Sequence, residues 1–251
     1  MHKLLPIIAL LFFSYTGRSQ RMDTRLYELR IYQTEPGRMG ALLSRFTHHT
    51  LGLFEKHGMR NEGYWLSEAD SNLLYYVLSY PDMTSRNAAW KAFSDDPVWQ
   101  NVRSESEKSG KIVASVVSVY LTKTDFSDFK WRRGTKKADK HPMVFELRTY
   151  TCYPGRLPAL MDRFRQHTTR LFEQHGMKNV VYWTTVEEGD EQPKLVYLLA
   201  HDSTEAAKRS FESFVKDPAW IKARDNSEKD GKIVSRIESV FLNPLSFSKI
   251  R

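Results

Sequence analysis

Residues 27–65, YELRIYQTEPGRMGALLSRFTHHTLGLFEKHGMRNEGYW, and residues 145–183, FELRTYTCYPGRLPALMDRFRQHTTRLFEQHGMKNVVYW, lie on one another without a gap, with 22 identities in 39 positions. Self-similarity of that density within one chain marks a tandem duplication. It extends outward, since residues 93–121 repeat as 214–242 at 15 of 29 positions, after a three-residue insertion in the middle loop of the second copy. The reading places a first domain at 20–129, a linker at 130–141 and a second domain at 142–251.

Periodicity orders the elements of each copy. From Arg25 to Gln33, Tyr27, Leu29 and Ile31 alternate with Glu28, Arg30 and Tyr32, which is a strand pattern ended by Pro36-Gly37. Apolar residues then recur at three- and four-residue steps from Met39 to Phe54, with Gly58 as a left-handed cap, and this predicts an amphipathic helix of about five turns. Met59 to Leu66 and Leu73 to Tyr80 suit an antiparallel hairpin across the polar loop 67–72. A second helical region starts near Thr84 and restarts at Asp96-Pro97, where Asp can cap and Pro fits the first turn. The Val-rich stretch Ile112 to Leu121 is the last strand.

The order βαββαβ, repeated, predicts an α+β fold of two ferredoxin-like units, each a four-stranded antiparallel sheet with helices on one face. Each sheet's other face needs a cover. The duplication supplies one within the chain, so the two units should pack as a pseudo-dimeric α/β barrel.

Tyr27-Glu28-Leu29-Arg30-Ile31-Tyr32, Pro36-Gly37-Arg38 and His57-Gly58, with their counterparts Phe145-Glu146-Leu147-Arg148-Thr149-Tyr150, Pro154-Gly155-Arg156 and His175-Gly176, resemble the NIPSNAP family. The resemblance covers both halves. It implies kinship in fold with small cofactor-independent monooxygenases, isomerases and haem-containing proteins, and with animal members associated with mitochondria and with protein or vesicle handling. It carries over no catalytic residues.

Candidate ligand-binding residues follow from the strand patterns. The first strand of each copy puts Glu28, Arg30 and Tyr32, and Glu146, Arg148 and Tyr150, on one face. A carboxylate, a guanidinium and a phenol beside a cavity could orient a small polar or anionic ligand, Arg holding the anion and Tyr donating; the alternative is a structural ion pair. His49 and His167 occupy equivalent helix positions and are the candidates for acid/base work, against a half-buried structural role. Of the pairs Tyr64-Trp65 and Tyr182-Trp183, one aromatic each should face the cavity side, and Trp65 and Trp183 are taken as the candidates, with core packing as the alternative. His57 and His175 precede capping glycines, where a histidine can bond the last carbonyls. No residue is assigned as catalytic.

Metal binding is disfavoured, because His49 and His57 lie about 12 Å apart along one helix. The expected state is cofactor-free, with haem on a single histidine left open. Cys152 is the one cysteine, so it has no intramolecular disulfide partner; its counterpart is Thr34, which argues against a nucleophile.

Charge adds little. The chain has 38 Lys+Arg against 30 Asp+Glu, but residues 130–141 alone carry a net +5, which reads as a solvated linker and argues against nucleic acid as partner. Residues 1–19, with Lys3, the apolar run Leu4 to Tyr15 and Ser19 before the cut, read as a signal peptide too short to span a bilayer. The expectation is an exported protein, periplasmic or secreted, without a stable membrane span, that binds a small, partly apolar or anionic molecule between or beside its sheets. A protein-interaction module without a catalytic site, and a cofactor-independent monooxygenase- or isomerase-like enzyme, are the alternatives. The sequence leaves further self-association open.

Overall fold

The computed structural model describes residues 23–127, 143–186 and 192–251. The leader at 1–19 and the linker at 130–141 lie outside the described residues.

The first copy runs β1 (Leu26–Thr34), α1 (Met39–Arg45), a π-helical turn (Phe46–Thr50), α2 (Leu51–Lys56), β2 (Arg60–Ser67), β3 (Leu73–Tyr80), α3 (Met83–Asp95), α4 (Pro97–Ser106) and β4 (Val113–Lys123). The second repeats it with β5 (Val144–Cys152), α5 (Leu157–Arg163), a π-helical turn (Phe164–Thr168), α6 (Thr169–Gln174), β6 (Lys178–Thr185), β7 (Lys194–His201), α7 (Thr204–Phe214), α8 (Pro218–Ser227) and β8 (Val234–Pro244). The predicted cap at Asp96 is present: its carboxylate accepts from the Val98 amide and Pro97 opens α4. Asp217 does the same for α8.

The two units form the expected pseudo-dimeric barrel. Strand order is β1-β3-β2-β8-β5-β7-β6-β4, closed on itself into one eight-stranded barrel. Two short ladders make the closure, Trp65 to Ser67 of β2 on Pro244 to Leu242 of β8, and Leu121 to Lys123 of β4 on Thr185 to Trp183 of β6. Beyond them the halves exchange arms. The Ser248 hydroxyl accepts from the Tyr64 amide at 2.9 Å while Phe247 packs on the Tyr64 ring, and Ser127 and Phe126 do the same to Tyr182.

Alternation along each strand divides the core into three. Tyr27, Leu29, Trp65, Val77, Phe145, Leu147 and Trp183 are among the side chains that fill the barrel interior. Leu26, Leu42, Phe46, Phe54, Tyr64 and Tyr76 belong to a second cluster between the first half-sheet and its helices, and the second half repeats this layer around Phe164, Phe172, Tyr182 and Tyr197. The barrel lumen is therefore an apolar core. The first-strand faces carrying Glu28, Arg30 and Tyr32, and Glu146, Arg148 and Tyr150, turn outward under the helices rather than into the space between the sheets.

Candidate functional site

The long helix of each copy is interrupted in its middle. At Phe46–Thr50 the backbone widens to a π-helical turn, with the Leu51 amide bonding the Phe46 carbonyl and the Thr50 hydroxyl the Arg45 carbonyl. The widened turn leaves the neighbours Arg45 and Phe46 both buried against the sheet side of the helix. The second copy repeats the device with Arg163, Phe164 and Thr168.

Beside this turn a cleft of about 300 Å³ opens between the long helix, α4 and β4. Its walls are Tyr32, Phe46, Phe54, Phe93, Trp99, Val113 and Val116, and its charged groups are Arg45, Arg103, Glu107 and Lys111. Arg45 is buried, its guanidinium 5.3 Å from the Trp99 ring centre and its Nη1 donating to Glu107 Oε1 at 3.1 Å and to the Ser106 hydroxyl. Burial disfavours the Glu107 carboxylate, yet the hydrogen bond from Arg45 and the charges of Arg45 and Arg103 hold its pKa below the ordinary value. The second copy builds the same cleft, about 180 Å³, around Arg163, Trp220 and Glu228, with Ile237 where the first has Val116.

Deeper under α3 lies the charge cluster of β1. Glu28 has no solvent exposure and accepts from Arg30, from Arg86 at 2.8 and 3.1 Å, from the Tyr80 hydroxyl and from the Trp90 indole. Burial pushes its pKa up, but the Arg86 hydrogen bonds and the Arg30 charge outweigh that and bring it down to about 2. Arg30 stacks 4.2 Å from the Trp90 ring centre and also donates to Tyr76 and, at 3.3 Å, to the Tyr32 hydroxyl. Tyr32 thus links the cluster to the cleft wall. In the second copy Glu146 keeps Arg148, but His201 replaces Tyr80, Ala207 replaces Arg86 and Phe211 replaces Trp90. The charge cluster has diverged between the copies, while the cleft has been retained.

A family model described as NIPSNAP matches residues 27–128 and again 145–249. The chain belongs to the NIPSNAP family. Among solved structures, the NIPSNAP chain is similar to an anthrone oxidase-like protein at 13% identity, covering 91% of this chain and 95% of that one with a TM-score of 0.55. It is also similar to a provisionally assigned monooxygenase from Lactobacillus acidophilus NCFM, at 12% identity over 88% and 94% of the two chains with a TM-score of 0.54. At these identities the likeness is one of fold. A NIPSNAP domain protein from Burkholderia xenovorans is 23% identical over 41% of this chain and 99% of its own, TM-score 0.37. No curated protein matches the sequence.

Within the NIPSNAP barrel the residues singled out from sequence go to four different places. Tyr32 and Tyr150 line the clefts. Glu28, Arg30, Glu146 and Arg148 lie behind them in the ion-pair clusters. Trp65 and Trp183 are packed inside the barrel, and it is Tyr64 and Tyr182 that face the helices. His49 is exposed on the π-helical turn and His167 half-buried on its counterpart. The histidines before the capping glycines serve another element than expected: His57 Nε2 bonds Asp96 Oδ2 at 2.7 Å and His175 bonds Asp217 at 2.8 Å, tying the end of each long helix to the cap of the next. Cys152 is buried, and burial raises its thiol pKa to about 11. Among the described residues no group of three His, Cys, Asp or Glu is placed to hold a metal ion, and no helix is long and apolar enough to cross a membrane.

Sequence reasoning missed Arg45, Phe46, Thr50, Trp99, Arg103 and Glu107 as lining residues. A signal for them was present, because all six are identical in the second copy as Arg163, Phe164, Thr168, Trp220, Arg224 and Glu228. An arginine inside the apolar stripe Leu42, Phe46, Leu53 is also out of place unless the helix opens there to give it a polar partner.

Proposed function

We propose that this NIPSNAP protein binds a small, partly apolar molecule in the cleft beside each half-sheet, under the helices, and that it does so after export. The observation that carries the reading is the retention of the cleft in both copies. The same aromatic walls, the same buried arginine beside a tryptophan and the same π-helical turn recur although the neighbouring charge cluster changed. The Glu28 cluster, by contrast, exchanged partners while keeping its carboxylate compensated, Glu146 retaining Arg148 and gaining His201. A wall of aromatic rings with a few fixed polar groups suits a ligand that is apolar over most of its surface.

The test is native mass spectrometry of the chain isolated gently from its source cell, alongside a variant with both clefts filled, Val116→Trp and Ile237→Trp. The expected result is a small-molecule adduct on the unaltered chain and its loss from the variant. A bare unaltered chain, or an adduct equally present in both, overturns the reading. The same spectra of the unaltered chain report whether its mass begins at Gln20, as export with removal of residues 1–19 requires.

A cofactor-independent oxidase or isomerase is the second reading, favoured by one contact. The Tyr32 hydroxyl, at the cleft wall, accepts from the Arg30 guanidinium, and a phenol so held can donate or move a proton at a bound ligand. On that reading Tyr32→Phe abolishes turnover of the isolated ligand while leaving its binding within about twofold.

A further inference from the structure

Resting on the cleft reading, we infer that the ligand's polar end is a single carboxylate, received by the unfilled edge of Arg45 in the first half and of Arg163 in the second. The Arg45 side chain is 95% buried against the cleft, judged by its 5% exposure, and only one of its three nitrogens is engaged. Nη1 serves Glu107 and Ser106; Nε is buried without a partner, and Nη2 makes no hydrogen bond among the described residues. Arg163 repeats the pattern, with Nη1 on Glu228 and Ser227 and Nε again unpartnered. A buried donor left unmade is costly, the more so for a charged group, and of the repeated unpartnered arginines, Arg45 and Arg163 are the ones that line the clefts.

The chemistry of that edge selects its occupant. Nε–H and Nη2–H of a guanidinium point in parallel, spaced to match the two oxygens of a carboxylate, and the Trp99 ring centre lies 5.3 Å from the Arg45 guanidinium carbon. Charge agrees, because Arg45, Arg103 and Lys111 face the single acid Glu107 across the first cleft. Glu107 also limits the charge that can enter, since a phosphate dianion would place a second negative charge against it in the half-open cleft. Beyond the guanidinium, Phe46, Phe54 and Phe93 offer a mainly apolar surface for the rest of the ligand, with the Tyr32 hydroxyl at its wall. The class is thus a monocarboxylate with an apolar chain or ring.

The experiment is isothermal titration calorimetry of the purified chain with decanoate, decanol, decyl phosphate and decylammonium, four probes that share a tail and differ in headgroup. Decanoate is expected to bind at least tenfold tighter than decanol and than decyl phosphate, with no heat from decylammonium. Arg45→Met and Arg163→Met together should cost decanoate at least tenfold and leave decanol within twofold. Because that variant leaves Glu228 without its Arg163 partner and Glu107 with Arg103 alone, a second variant guards against loss of fold. Glu107→Gln keeps an acceptor for Nη1 while removing the competing charge, and should tighten decanoate at the first cleft by about threefold or more. Decanol equal to decanoate overturns the carboxylate and leaves the cleft reading standing. Decyl phosphate binding tighter than decanoate overturns the monocarboxylate alone. An unchanged or weaker decanoate affinity in Glu107→Gln counts against the inference, and no binding of any of the four counts against both.

Discussion

Replacing Glu28 by Gln tests the electrostatics that hold α3 over β1. The carboxylate is wholly buried among Arg30, Arg86, Tyr80 and Trp90, and these partners bring its pKa from the ordinary 4.5 to about 2 against the opposing effect of burial. A folded pKa below the unfolded one means that the stabilisation is full above pH 4.5 and is lost as the pH falls through 2. The difference corresponds to about 3 kcal/mol at pH 7, declining to about 1 kcal/mol at pH 3. Gln is nearly the same size and does not titrate, so it removes the charge and leaves two buried guanidinium groups with a neutral acceptor. Urea unfolding of both proteins across pH 3 to 7 should therefore show a stability gap of about 3 kcal/mol at neutrality that narrows to about 1 kcal/mol in acid. Taking the gap cancels every carboxylate the two proteins share. A gap that stays constant with pH, or a Gln variant as stable as the parent at pH 7, would refute the assignment of Glu28 as an ionised buried anchor.

Two further substitutions probe the packing. A Cβ at Gly63 would stand 2.2 Å from Cη2 of Trp65, whose ring is locked in the barrel core, so Gly63→Ala should cost about 2 kcal/mol in urea unfolding. Phe247→Ala removes the half-buried ring that the second half's arm lays on Tyr64 and should also cost about 2 kcal/mol. If the halves are held only by their two short ladders, that loss will be negligible.

Much of the fold was legible because period and punctuation agree in both copies. The alternation of β1, the Asp-Pro restart of α4 and the capping Gly58 each state a local preference that the tertiary structure keeps. The barrel was expected, but the residues that close it were less legible. The ladders that join the halves use only three residues on each strand, and nothing in Trp65-Leu66-Ser67 distinguishes a closing strand from an open edge. The π-helical turn was hidden because one inserted residue shifts a helical stripe by about 100°, and the apolar positions on either side still look periodic. For the candidate site, residue types were readable and directions were not. Glu28, Arg30 and Tyr32 share a strand face as expected, but which side of the sheet that face meets depends on the helices it packs under. His49 shows the same limit, since within the π-helical turn its helix position no longer fixes its face.

The claim that the clefts, and not the barrel lumen, receive the ligand is tested most directly by a crystal structure of the chain grown with a bromine-tagged decanoate, read through the anomalous signal of the bromine. The account predicts one peak in each cleft, among Phe46, Phe54 and Phe93 in the first half and their counterparts in the second, with the carboxylate on Arg45 and Arg163. A peak inside the barrel beside Trp65 and Trp183, or ordered tag nowhere near either π-helical turn, would contradict it.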